Sequence, residues 1–186
     1  TGAQGLMWAI LSLGVFLSFR ILDVPDMTCE GSFPLGGAIA ATMVVAGVSP
    51  WLAIVAAVIG GMVAGAVTGI LYTKLKIPAI LAGILTMIAL YSINLHIMGK
   101  ANVSLLRTDT IFRLASRFLD CGSSVAALVV SGGLILVLVL WVYWFFGTEL
   151  GMCIRATGFN VHMMRAQGVN TDTMTILGLL LSNGLI

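Results

Sequence analysis

Long apolar runs alternate with short polar breaks along the whole chain. Residues 2–22 form the first run, enough for one bilayer crossing at about 20 residues per helix. A stretch carrying Asp23, Asp26 and Glu30, interrupted by Pro25 and Gly31, follows it. The second run, 35–48, is too short to cross alone, with Ser32 and Pro34 expected as its N-cap and early-turn residues. Ser49-Pro50 opens a third run over 51–73 in the same manner, and Pro78 precedes a fourth over residues 79–98. A fifth covers 125–146 and a sixth starts near Met174. The pattern predicts an all-α, polytopic helical transmembrane protein with a broken helix near the N-terminus. The chain starts at Thr1 without a Met and stops at Ile186 inside an apolar stretch. It is therefore expected to be a single transmembrane domain over 1–186, incomplete at its C-terminus.

Two breaks are longer. In 99–124, Ile111, Leu114, Ala115, Phe118 and Leu119 follow helical spacing, while Arg113, Arg117 and Asp120 fall elsewhere on the wheel. This predicts a short amphipathic helix lying at headgroup depth, capped by Asp109. The other, 147–173, carries Arg155, Asn160, His162, Arg165, Gln167, Asn170 and Asp172. Lys74 and Lys76 in a very short loop favour a cytoplasmic turn, which alternation would extend to 147–173, leaving 99–124 outside. The basic residues on the two sides nevertheless balance, so charge alone leaves the orientation open.

Composition fits lipid as the solvent. Apolar residues make up 60% and charged ones 9%, against about 25% charged in soluble proteins, and mean hydropathy is +1.12. A net charge of +2 with no basic run gives no footprint for nucleic acid. Cys29, Cys121 and Cys153 form no CxxC pair and are expected as reduced, small apolar side chains. No basic region precedes the first run and no small-residue cleavage site follows it, so it does not match a signal peptide. His96 and His162 are isolated, so no metal site is expected. Gly99-Lys100-Ala101 lacks the upstream Gly and the Ser/Thr of a phosphate-binding loop, and no nucleophile–base set is visible. The chain is expected to be neither an enzyme nor a cofactor carrier.

Within the third run, Gly61, Gly65 and Gly69 lie one turn apart on one face, a small-xxx-small stripe suited to close helix packing. The acidic break is the other candidate. Charge within a membrane is costly, so an ionisable cluster there defaults to a solute or ion pathway, and Asp23, Asp26, Glu30 and Ser32 are its candidate residues. They fit equally as helix caps, with Glu30 favouring a helix N-terminus and Arg20 within reach of Asp23.

The stretch 151–183, GMCIRATGFNVHMMRAQGVNTDTMTILGLLLSN, resembles the cytoplasmic loop and following helix of permease subunits of ATP-binding-cassette importers for branched-chain amino acids, ribose and related solutes. The family pattern R-A-x-G-x-N followed by A-x-G-[VI]-[ND] falls here on Arg155, Ala156, Gly158 and Asn160, then Ala166, Gly168, Val169 and Asn170. The segment RILDVPDMTCEGSFPLGGAIAA is similar to the family's acidic break, nearest the subgroup for aromatic amino acids and similar solutes.

The resemblance implies a permease in a bacterial cytoplasmic membrane, paired with a second permease, two ATPase subunits and an extracellular solute-binding protein. It also places 147–173 in the cytoplasm as a coupling loop. On that reading a helix over 157–168 docks onto the ATPase. Phe159, Met163 and Met164 are its apolar knobs, Arg155 and Arg165 its polar rim, and Gly158 and Gly168 its sharp entry and exit. The rival readings are an ion-coupled secondary transporter using the acidic break as its cation site, and a non-transporting membrane scaffold.

Overall fold

A computed structural model describes residues 2–99 and 123–186. The amphipathic helix expected within 99–124 lies outside the described residues. Helix α1, Gly2–Phe16, continues into a π-helical turn, Leu17–Ile21, where the Leu22 amide reaches back to the Leu17 carbonyl at 3.1 Å. Then come α2 (Cys29–Val45), α3 (Pro50–Thr73), α4 (Ala79–Met98), α5 (Ser123–Phe146), α6 (Glu149–Phe159), α7 (Val161–Ala166) and α8 (Thr171–Leu185). The described residues contain no strand, and the protein is an all-α membrane protein.

The proline-opened runs start where expected. Ser49 leads into Pro50 at the first turn of α3, and Pro78 precedes α4. Each proline has the fixed φ a first turn needs and no N–H to leave orphaned there. These two helices are long and apolar enough to cross a bilayer. Among the described residues a third candidate span is the bent pair Ser131–Phe146 and Glu149–Phe159, which turns by 80°.

The start of α2 departs from expectation. Ser32 and Pro34 do not open the helix; they lie in its body, and Thr28 holds the N-cap position. The reason is Asp26, whose Oδ1 accepts the Thr28 amide at 2.9 Å. That side-chain turn starts the helix earlier, and the Gly31 and Ser32 amides then both donate to the Thr28 carbonyl, each at 2.8 Å. Pro34 therefore leaves the Glu30 carbonyl without its helical partner.

Helix directions follow from the close approaches. Gly61, Gly65 and Gly69 of α3 meet Asn183, Leu179 and Ile176 of α8, in reverse order, so the two run antiparallel. A Cβ at Gly61 or Gly65 would overlap an α8 carbonyl oxygen, and one at Gly69 would sit 3.0 Å from Ile176 Cα. Lipid is as apolar as leucine, so close backbone packing of this kind, rather than escape from water, holds membrane helices together. Helix α1 also runs against α8, Gly14 meeting Ser182 and Ile186 while Leu22 meets Gly178. Helices α2 and α4 run parallel, with Met27 against Gly83 and Gly31 against Met87 and Leu90.

Thr28 pairs with Thr68, which lies five residues before the end of α3 at Thr73. At 1.5 Å per residue the acidic break therefore sits roughly 7–8 Å inside that end of the bundle. The Lys74–Lys76 turn, α6, α7 and the start of α8 share the same end.

Candidate functional site

Helix α6 is built to lean on the π-helical turn. Thr148 caps it, its hydroxyl accepting from the Gly151 amide at 3.4 Å. The 80° bend is possible because residue 151 has no side chain: a Cβ there would overlap the Phe145 carbonyl oxygen and lie 2.6 Å from Phe146 Cα. One face of α6 then packs inward, with Ile154 and Thr157 buried. At Gly158 the backbone of α6 meets Ile21 directly. A Cβ would overlap the Ile21 carbonyl oxygen and sit 3.0 Å from its carbon and 3.1 Å from Leu22 Cα. Ile154 joins Leu22, Val24 and Leu179 in one buried cluster, edged by Tyr72, Phe145, Phe146 and Met174. The helix after the bend, the turn before the acidic break and α8 are thus one packed unit.

Two residues on from Val24, Asp26 is 1% exposed. Its Oδ2 accepts from Asn183 Nδ2 at 2.6 Å and its Oδ1 from the Thr28 amide. The Asn183 Oδ1 accepts from the Ser32 hydroxyl at 2.8 Å, and Nδ2 also reaches the Leu179 carbonyl at 3.1 Å. The Thr28 and Thr68 hydroxyls share a bond of 2.8 Å, and Thr68 donates as well to the Ala64 carbonyl at 3.2 Å. This buried network ties the break to α2, α3 and α8. Each carboxylate oxygen faces an N–H donor, which satisfies a buried charge by hydrogen bonding.

The outward side of the same end is apolar. Asn160 breaks the helix, with φ −156° and ψ 96°, and its Oδ1 caps α7 by accepting from the Met163 amide at 3.0 Å. The single helix expected over 157–168 is therefore two helices, because an asparagine side chain offers the backbone a better partner there than helix continuation does. Phe159 is 83% exposed and Met163 56%, with Val161 also exposed beside them. Met164, expected as a third knob, instead points inward at 6% exposure. Arg165 is held within the chain, its Nε donating to Thr171 Oγ1 at 2.8 Å and its Nη2 to Asp172 at 3.0 Å. Gly168 takes φ +82°, the left-handed turn that glycine permits, between α7 and α8. Gly158, expected as an entry hinge, is helical and serves close approach instead.

Of the predicted residues, Asp26 and Ser32 come together, while Asp23 and Glu30 are exposed and outside the network. Asp23 takes φ +55°, a left-handed conformation that Asp tolerates. No ion pair joins it to Arg20; the pair Arg165–Asp172 is the salt bridge found among the described residues. Arg155 and Ala156 lie on α6 beside Gly158, and Ala166 ends α7. Asn183, Thr28 and Thr68 escaped the sequence reading. For Thr68 and Asn183 the signal was available: a hydroxyl and an amide inside apolar runs mark interhelical hydrogen bonds. Asn94, on the buried face of α4, was missed too, and neither amide atom has a hydrogen-bond partner among the described residues.

The family described as branched-chain amino acid transport system / permease component matches residues 3–185. A tyrosine transport system permease protein of Clostridioides difficile is 38% identical over 98% of this chain and 59% of its own length. An uncharacterized protein of Rickettsia prowazekii is 33% identical over 98% of the chain and 62% of its own length. A galactofuranose transporter permease protein of Escherichia coli is 30% identical over 94% and 49% respectively. The chain thus spans less than two thirds of the length of these relatives. No solved structure matches it.

Proposed function

Since the chain belongs to the permease-component family of branched-chain amino acid transport systems, we propose that it forms part of the membrane-spanning permease subunit of an ATP-binding-cassette importer. The cargo is a small solute of the amino-acid class, and the site of action a bacterial cytoplasmic membrane crossed several times. The subunit works as one of a pair, with ATPase subunits on the cytoplasmic side and a solute-binding protein outside.

One observation carries this reading. The exposed apolar residues Phe159, Val161 and Met163 stand on the same short segment whose Gly158 backbone rests on Ile21. An ATPase groove that takes up those side chains grips a piece of protein with no slack between it and the break. Met and Phe suit such a groove because Met repacks readily and both are strongly apolar. Packed interfaces switch between discrete arrangements rather than deform smoothly. Displacement of α6 by closing ATPase subunits is therefore passed to Ile21 and Leu22, and through Val24 and Asp26 to α2 and α8. The Asp26–Asn183–Ser32 network is the latch between those helices. At Asp26 each carboxylate oxygen already accepts one N–H donor, which favours the latch over a cation site.

The test is to co-express the full subunit with its ATPase subunit, using Phe159→Asp and Met163→Asp. Both substitutions are at exposed positions, so folding is expected to hold while co-purification of the ATPase and ATP-driven uptake are lost. Uptake at wild-type level in both variants, or uptake driven by a sodium or proton gradient without ATP, would reject the assignment.

A further inference from the structure

A cleft of about 870 Å³ opens between the end of α1, α5 and α6, separate from the Asp26 network. Its charged groups are Arg20, Asp23 and Arg155, and its walls include Phe16, Val139 and Tyr143. The contact of Gly158 with Ile21 brings the two arginines to one place: Arg20 precedes Ile21, and Arg155 lies one turn before Gly158 on α6. None of the three charged groups has a hydrogen bond or ion pair among the described residues. Two guanidinium groups against one carboxylate leave one net positive charge in the cleft.

The depth of the cleft is set by aromatic residues. Trp141, Tyr143 and Trp144 are exposed on the last turns of α5, directly before the 80° bend. Exposed Trp and Tyr rings gather at the boundary between headgroups and acyl chains. Above that level are the charges, and below it Phe16, Val139 and the apolar flank of α1 and α5. A guanidinium fork matches a phosphodiester in geometry as well as in charge.

We propose that this cleft binds a single anionic phospholipid, with its phosphodiester between Arg20 and Arg155 and an acyl chain along Phe16 and Val139. The surplus positive charge matches the single negative charge of such a lipid, and Asp23 is left to accept from a headgroup hydroxyl. Basic pockets between membrane helices recur as headgroup sites. The lipid would then touch both α6 and the π-helical turn, and so bear on the same contact that Gly158 makes.

The test is native mass spectrometry of the full-length permease released from nanodiscs of phosphatidylglycerol and phosphatidylcholine. Wild type is expected to retain phosphatidylglycerol preferentially. Arg20→Gln and Arg155→Gln should each lower that preference about fivefold, from roughly 1 kcal/mol per basic residue at a membrane surface. Val139→Trp leaves the charges and fills the trough, and should reduce retention of both lipids. Equal retention of phosphatidylglycerol by wild type and the Arg20→Gln/Arg155→Gln double variant overturns the proposal, as does displacement of the lipid by millimolar inorganic phosphate, which would mark a free-anion site. Unchanged retention in Val139→Trp likewise removes the acyl-chain trough. The readout needs no ATPase subunit, so its failure leaves the coupling reading standing, and failure of coupling leaves the lipid site standing.

Discussion

Replacing Gly158 with alanine tests the central contact with one methyl group. Carbon atoms settle about 3.5–4.0 Å apart, whereas the new Cβ starts 3.0 Å from the Ile21 carbonyl carbon and 3.1 Å from Leu22 Cα. Both neighbours are backbone and cannot turn aside, so α6 must retreat by roughly half an ångström or more. Overpacking of this kind costs about 1–3 kcal/mol. Alanine also improves helix propensity by about 1 kcal/mol, which calls for a control. A Cβ at Gly37 of α2 would have nothing within 4 Å, so Gly37→Ala takes the propensity gain alone.

Gly158→Ala is then expected about 1–3 kcal/mol less stable than Gly37→Ala, or roughly 2–4 °C in melting temperature per kcal/mol. If the contact transmits force, the same perturbation biases the two arrangements of the bundle. A bias of 1.4 kcal/mol is about tenfold in an equilibrium, so uptake per ATP hydrolysed, measured in proteoliposomes with the assembled importer, should fall at least about fivefold. An unchanged melting temperature together with an unchanged ratio of uptake to hydrolysis would refute the reasoning.

Asn183→Ala removes the 2.6 Å donor to Asp26 and the acceptor of the Ser32 hydroxyl, at an expected cost of about 2–4 kcal/mol. In a double-mutant cycle with Asp26→Ala the coupling should exceed about 1 kcal/mol, and simple additivity would contradict the network. Arg165→Gln breaks a 3.0 Å pair that is exposed on both sides; thermal melts should show a loss below about 1 kcal/mol that shrinks further at high salt. Asn94→Leu removes an amide with no partner among the described residues, so stability should hold or rise by up to about 1–3 kcal/mol. A clear fall would mean that the amide has a partner in the assembled protein.

Helix positions were legible where a proline meets an apolar run, as at Pro50 and Pro78, because both signals are local. The start of α2 was not, since a carboxylate two residues upstream of Thr28 fixes it and Ser32 carries the stronger local cap signature. The break at Asn160 has a local signal, an asparagine just before an apolar turn, whereas the family resemblance implies one continuous lever. The stripe Gly61, Gly65, Gly69 was plain in sequence, yet its partner helix was not, since nothing local ties residue 65 to residue 179. For the same reason Asp26, Ser32 and Asn183 each carry a local polar signal, while nothing local joins residue 183 to residues 26 and 32.

The bond between Asp26 and Asn183 closes over 157 residues of chain. At about 5–20 residues per second of synthesis, the acid is made roughly 8–30 s before the amide that receives it. Throughout that interval the Asp26 carboxyl lacks its Asn183 donor and lipid offers none, so water must supply the hydrogen bond until α8 arrives. Helix α8 therefore acts as a clasp on the helices made before it. A ribosome that stalls before residue 183 leaves that acid without the amide that receives it.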